Sequence, residues 1–330
     1  MPIHTYERLA ELLAAFHGKR VLVVGDLMLD RNIFGTVERI NPEAPWVSIL
    51  RADSTSKRTA STGGAGNVAK NIAALGAKAT LVGVVGTDSA GFEFMTTAEM
   101  EGYTLRPVSD PSWMTVTKTR FLERGGHHLL RFDEEPAVFE LQPETAQRLM
   151  KECLSLVDEV EGILVSDYAK GVVTRELAHS LVEAGYTIPL LADIKPPNAE
   201  YFDWADMMSP NEAEARAYLG PRSKSMLLEE VACEIAKTFN TVAFLTAAER
   251  GMYVSEHGNK AELVPQRHKI EVFDTSGCGD TAAAVILLAT LCGAAPLEAA
   301  ELANAAAAVV ASKIGAVAPT PEEVLDMLRS

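Results

Sequence analysis

The chain of 330 residues is 48% hydrophobic and 23% charged, which excludes a disordered protein and allows one large α/β domain or two smaller ones. Its formal charge of −15, from 30 basic and 45 acidic residues, argues against a general affinity for nucleic acid or anionic membranes. An anionic substrate would have to be met by a local basic pocket.

Five continuous apolar runs follow one another along the chain: VLVV at 21–24, TLVGVV at 80–85, GILVS at 162–166, IPLLAD at 188–193 and TVAFLT at 241–246. Such runs suit central strands of a parallel sheet, which are buried on both faces. Amphipathic helical stretches at 67–75, 91–101, 143–159, 174–184 and 226–239 separate them. The alternation predicts an α/β fold, a doubly wound and mostly parallel sheet with helices on both faces. Two stretches interrupt it. Residues 33–51 include an extended WVSIL, and 114–133 read as two β segments joined by Gly125-Gly126, a hairpin signal. These are expected to leave the main sheet and form a small β lid beside the strand ends. The C-terminal third is mostly helical, with an Ala-rich stretch from Pro296 to Ile314 suited to close packing. No cationic and apolar leader is visible at the N-terminus, and the most apolar window, 282–292, is too short to span a bilayer. A cytoplasmic protein with no membrane or nucleic-acid partner is expected.

Residues able to do chemistry cluster at the predicted strand ends. Asp26 and Asp30 follow the first strand, and two carboxylates there could accept hydrogen bonds from vicinal hydroxyls of a sugar or polyol. Asp26 could equally cap a turn. In Gly63-Gly64-Ala65-Gly66-Asn67 the glycines would let a ligand approach the backbone, and Asn67 can donate to and accept from a hydroxyl. A dinucleotide loop is disfavoured, because this one does not follow the first strand and lacks an acidic partner. No G-x-x-x-x-G-K-[ST] occurs, which argues against a P-loop. Lys118, Arg120 and Arg131 in the hairpin, with Lys170, Asp193 and Lys195 after core strands, are the charged candidates for a substrate pocket. Asn211 and Glu214 could orient magnesium-bound water, or simply start a surface helix. Cys153, Cys233 and Cys292 read as buried thiols without metal spacing.

The octapeptide Asp274-Thr275-Ser276-Gly277-Cys278-Gly279-Asp280-Thr281 is the strongest signal. Small residues at 277–279 would let backbone N–H groups crowd a tetrahedral anion at the mouth of the apolar helix that follows. Asp280 in that mouth could take the proton of an attacking hydroxyl while the N–H groups stabilise a transferring phosphoryl group.

Together these segments resemble the ribokinase-like (PfkB) family of sugar kinases. GGAGN at 63–67 is similar to its first signature and DTSGCGDT at 274–281 to its second, and the likeness covers nearly the whole chain. GDLMLDR at 25–31, RINPEAP at 39–45, SDYAKG at 166–171 and SPNEAE at 209–214 resemble one branch, which acts on D-glycero-β-D-manno-heptose 7-phosphate in lipopolysaccharide inner-core synthesis. The resemblance implies a single ribokinase-like kinase domain over 1–330, with lid strands at about 33–51 and 114–133. It implies ATP-dependent phosphorylation of that sugar phosphate at its anomeric hydroxyl, with Mg2+, and allows a monovalent cation such as K+ near Asp274 and Ser276. Asp280 would be the base, and Gly277, Cys278 and Gly279 the anion hole. Asn211, Glu212, Ala213 and Glu214 would form the nucleotide and magnesium segment, Glu214 acting through water, with Thr246, Gly251 and Asn304 near the nucleotide. Asp26, Asp30, Gly63, Gly64 and Asn67 would hold the sugar, joined by Arg120, Lys170, Asp193 and Lys195. Lid strands in relatives often pair between subunits, which implies a homodimer. Cys278 stands where the family usually has Ala, and Ala247-Ala248 replace a larger, more polar pair. Many bacteria fuse a nucleotidyltransferase domain behind the kinase. No H-x-G-H site follows here, so the single-activity form is expected, another sugar or nucleoside kinase of the family being the alternative.

Overall fold

The computed structural model describes residues 4–185, 187–313 and 315–329; Ile314, the end of the predicted Ala-rich stretch, lies outside them. The strands are β1 (Arg20–Gly25), β2 (Leu27–Asn41), β3 (Ala44–Arg51), β4 (Arg58–Gly64), β5 (Lys78–Gly86), β6 (Thr104–Asp110), β7 (Val116–Glu123), β8 (His128–Glu134), β9 (Gly162–Ser166), β10 (Leu190–Asp193), β11 (Met207–Met208), β12 (Val242–Thr246), β13 (Met252–Glu256) and β14 (Glu262–Val264). A nine-stranded sheet runs β14-β13-β12-β11-β10-β9-β1-β5-β6. It is parallel from β12 to β6 and closes with the antiparallel β12–β13–β14 meander at one edge. The five predicted apolar runs are β1, β5, β9, β10 and β12. β6 carries Pro107, which a sheet tolerates at an edge because Pro cannot donate to the ladder.

Both faces of the sheet are covered, as the unbroken apolar runs require. Side chains alternate along a strand, so Val21 and Val23 of β1 join one core while Leu22 and Val24 join the other. The first core lies under the helices Tyr6–Ala14, Ala65–Ala74, Cys278–Leu291 and Pro296–Ala311; the second lies under Pro143–Leu156, Arg175–Gly185 and Leu228–Thr238. Helix 278–291 is buried on every side from Asp280 to Ala289, which its apolar composition dictates. Each fully buried Val, Leu or Ile there contributes about 1.5–3 kcal/mol of transfer free energy.

An ionic knot closes the C-terminal end. The Arg267 guanidinium donates to Glu301 at 2.9 Å, to the Leu328 carbonyl at 2.9 Å and to the His4 carbonyl at 3.2 Å. Glu301 is only 3% exposed. The knot ties the N-terminal segment and the last helix to helix 296–311.

The lid is a second sheet, β3-β2-β7-β8, with β4 paired to β2. Two features depart from the sequence expectation. β2 begins at Leu27, so the chain leaves the main sheet directly after Asp26, and Asp30 is a lid residue. β4 was not anticipated, because RTASTGG is small and polar and shows no apolar alternation. It is held by its antiparallel pairing with the first half of β2, from Leu27↔Gly64 to Ile33↔Arg58.

Candidate active site

The octapeptide opens helix 278–291. Gly277 is the N-cap with φ +82°, a left-handed conformation that costs other residues about 1–2 kcal/mol. A Cβ at Gly277 would also lie 2.7 Å from the Asn67 amide nitrogen, so glycine is required twice over. A Cβ at Gly279 would meet nothing within 4 Å, which shows that the turn faces open space. The N–H groups of the first helical turn have no intrahelical acceptor and carry the positive end of the helix dipole. Cys278 N–H donates to the Thr275 carbonyl at 3.3 Å, so the Gly279 and Asp280 N–H groups are the ones left to face an anion.

Asp280 stands in that first turn and is 6% exposed. Asn67 Nδ2 donates to one carboxylate oxygen at 2.6 Å, and the Tyr168 hydroxyl donates to the other at 2.7 Å. Burial raises the Asp280 pKa, and the two hydrogen bonds and the Lys195 charge oppose that rise. Asn67 reaches Asp280 because Asn67 and Asn71 lie one turn apart on helix 65–74 and meet successive residues of helix 278–291. Thr281 donates to Asn71 Oδ1 at 2.7 Å. Asn67 Oδ1 is buried without a hydrogen-bond donor among the described residues. An orphaned buried acceptor costs about 1–3 kcal/mol, and a ligand hydroxyl would satisfy it.

The lid supplies the next wall. In register, Asp30 of β2 sits beside Lys118 of β7, and Asn32 beside Arg120. Arg120 donates to Asp30 at 2.5 Å, and a Cβ at Gly63 would fall 2.2 Å from the other Asp30 oxygen. Gly63 therefore makes room for Asp30. Arg131 pairs with Asp133 at 2.9 Å, Lys170 with Glu135 at 2.5 Å, and Lys195 with Glu214. Lys170 is thereby drawn outward, onto Glu135 and the Phe139 ring. Among the described residues Lys118 alone of the five candidate cations has no ion-pair partner. Burial lowers its pKa, and its ammonium lies 5.3 Å from the Tyr168 ring centroid.

Asp26 is a correction. One of its oxygens accepts the N–H groups of Tyr168 at 2.6 Å and Lys170 at 3.1 Å, and the other accepts that of Val172 at 3.2 Å. It is 1% exposed and clamps the loop after β9 instead of facing the cleft. Gly64 likewise packs against protein, where a Cβ would lie 2.3 Å from the Asp26 carbonyl oxygen. Asp193, at the end of β10, lies within electrostatic reach of Asp280, Lys195 and Glu214. Burial, then the charges of Asp280 and Glu214, push its pKa up to about 8, and its carboxylate accepts no hydrogen bond among the described residues.

On the far side, Asn211 and Glu214 form a reciprocal capping box at the start of helix Glu212–Leu219, so the helix-start reading of this segment holds. Glu214 still presents its other oxygen to Lys195. Glu212 points outward to Arg216 and Arg250, and Ala213 carries no polar side chain, so neither side chain has a visible hold on a nucleotide. Thr246 bridges to Asn211 at the end of β12. Gly251 has φ +101° and makes room for the Val264 carbonyl oxygen; Asn304 donates to that same oxygen at 2.9 Å. Asn304 therefore fastens helix 296–311 to β14, and the sequence expectation gave it no such part. Cys278 gives a weak thiol contact to the Ala307 carbonyl, and burial pushes its pKa up to about 11, which suits a packing residue. Tyr168 is the contributor that sequence reasoning missed. It lay inside SDYAKG, but a single tyrosine carries no periodic signal.

A mostly parallel α/β sheet covered by helices on both faces, with a β lid beside it, is a ribokinase-like fold. The chain belongs to the pfkB family of carbohydrate kinases, whose profile matches residues 19–323. It is 36% identical over 330 residues to the bifunctional protein HldE of a Caulobacter species, covering 97% of this chain and 65% of that protein. It is 37% identical over 308 residues to the D-beta-D-heptose 7-phosphate kinase of Bordetella bronchiseptica, covering 92% of this chain and 95% of that protein. The chain thus spans about 65% of the length of the bifunctional relative. Phosphofructokinase-2 of Escherichia coli, solved with substrates and products, shares the fold at a TM-score of 0.74 and 17% identity, over 94% of this chain and 98% of that one.

Proposed function

We propose that this chain transfers the γ-phosphoryl group of ATP to the anomeric hydroxyl of D-glycero-β-D-manno-heptose 7-phosphate, giving the 1,7-bisphosphate on the route to ADP-heptose for the lipopolysaccharide inner core. The meeting of Asn67 and Asp280 at an open helix mouth carries the chemistry. The likeness to the Bordetella kinase, with RINPEAP and SDYAKG, supports the substrate.

The acceptor hydroxyl would lie against Asp280, which removes its proton as the sugar oxygen bonds to the γ-phosphorus. The bond to the bridging oxygen of ADP breaks in line, and the proton remains on Asp280. The N–H groups of Gly279 and Asp280 would hold the phosphoryl oxygens. A second sugar hydroxyl donates to the orphaned Asn67 Oδ1. Lys118, free of any ion pair among the described residues, is the lid cation open to an anionic substituent of the sugar.

Magnesium fits the acidic side of the cleft, on the observation that Asp193 is unpartnered and its charge disfavoured. Asp193 and Glu214 would hold the ion, largely through water. When bound it offsets charge on the phosphates. A potassium ion near Asp274 is the second cation proposed: the two Asp274 oxygens accept the N–H groups of Ser276 and Gly315 and keep further lone pairs for an ion.

The test is ADP release at fixed ATP and magnesium with a panel of acceptors. Heptose 7-phosphate is expected to give the highest kcat/KM, with ribose, fructose 6-phosphate and nucleosides far below it. A higher value for any of those acceptors would move the chain to the alternative reading, another kinase of the family.

A cytoplasmic location accords with the use of ATP, and among the described residues no helix is long and apolar enough to cross a membrane. A lid-to-lid homodimer is the proposed assembly. Arg131 faces Arg120 across the β7–β8 ladder, so strand alternation turns Leu130 and Phe132 to the opposite face. Both are exposed, as are Ile40 of β2 and Trp46 of β3, the last at 83%. An apolar surface of this kind marks an association site. Trp46→Glu is expected to convert a dimer to a monomer in light scattering coupled to size exclusion. A monomeric parent protein, or a variant that stays dimeric, would reject the arrangement.

A further inference from the structure

We propose that Tyr168 is a positioning residue for the catalytic base: its hydroxyl fixes the Asp280 carboxylate in the orientation that receives the acceptor's proton. The inference rests on the kinase reading above and deepens it.

Three observations carry it. The phenol donates to Asp280 at 2.7 Å on the oxygen opposite the one held by Asn67, so the carboxylate is gripped from both sides and cannot rotate freely. The loop that presents Tyr168 is built to hold it. Buried Asp26 accepts the backbone N–H groups of Tyr168, Lys170 and Val172, and Asp167 accepts that of Ala169. Ala169 is itself kept at φ +55°, a conformation that costs a residue with a side chain about 1–2 kcal/mol. The Tyr168 ring also lies between the two sides of the cleft, with the Lys118 ammonium of the lid 5.3 Å from its centroid and that of Lys195 at 5.1 Å. A line of contacts thus runs from Asp26 through Tyr168 to Asp280. Along it the acid at the end of β1 acts on the reaction without touching substrate.

Tyr168 cannot replace the base. Burial, then the neighbouring Asp280 charge, raise its pKa well above the ordinary phenol value, so it remains a donor at working pH. A donor to one oxygen leaves the remaining lone pairs of Asp280 open to the sugar hydroxyl.

The experiment is a double-mutant cycle of Tyr168→Phe and Asp280→Asn, read as kcat and KM on the best acceptor that the parent protein phosphorylates. Tyr168→Phe is expected to lower kcat between about 10- and 100-fold, the value of one hydrogen bond to a charged group, with KM for ATP and sugar within about twofold of the parent. On the Asp280→Asn background the same change is expected to cost no further activity, because Tyr168 acts only through that carboxylate. Unchanged kcat in Tyr168→Phe, a loss confined to KM, or an equal loss on both backgrounds would overturn the proposal. Failure of the parent protein on heptose 7-phosphate would count against the substrate alone, since the cycle runs on whichever acceptor is turned over.

Discussion

Asp280→Asn is expected to lower kcat by at least about 10²-fold, with little change in KM for either substrate. The substitution is nearly isosteric and the amide can still accept through oxygen, so helix 278–291 and its packing should persist. What is lost is a carboxylate able to take a proton. Burial raises the pKa of this group from its ordinary value, the direction that strengthens a base. The N–H cradle survives in the variant, so residual activity above the uncatalysed rate is expected from positioning and anion stabilisation. Rapid-quench measurement of the chemical step in parent and variant checks the figure. Near-normal turnover would remove Asp280 from the base role.

The largest expected effect on stability lies elsewhere, at the ionic knot. Arg267→Met should destabilise the protein by about 1–3 kcal/mol, the cost of leaving buried acceptors short of a donor, because the His4 backbone N–H at 3.1 Å and the His4 ring at 2.9 Å remain on Glu301. The guanidinium is 11% exposed and Glu301 3%, so solvent can do little to replace what is lost. Methionine matches the length of the stem but leaves the His4 and Leu328 carbonyls without this donor and takes the guanidinium from Glu301. A fall in the urea midpoint at constant slope is the expected readout. An unchanged midpoint would show that the knot contributes nothing net.

Much of this was legible in the sequence because the relevant signals are local. The strands buried on both faces announce themselves as unbroken apolar runs, and Asp280 stands three residues after Gly277, whose left-handed backbone favours glycine. The lid hairpin at 116–134 was visible through Gly125-Gly126. What escaped depends on contacts distant in sequence. β4 is a strand only because β2 pairs with it. Asp26 and Asp30 look like a matched pair four residues apart, yet the chain turns from one sheet to the other between them. One acid clamps a buried loop and the other takes Arg120. Tyr168 matters through a partner 112 residues away. The glycines at 63 and 64 read as room for a ligand, and a side chain on either would also strike Asp30 or the Asp26 backbone.

The most direct test of the central claim is a crystal structure with heptose 7-phosphate and a non-hydrolysable ATP analogue bound together. The anomeric oxygen should lie within hydrogen-bond reach of the Asp280 carboxylate, about 2.6–3.2 Å, and in line with the γ-phosphorus held by the first-turn N–H groups. A complex in which that oxygen sits beyond reach of Asp280, with another side chain or another sugar hydroxyl facing the γ-phosphorus, would contradict it.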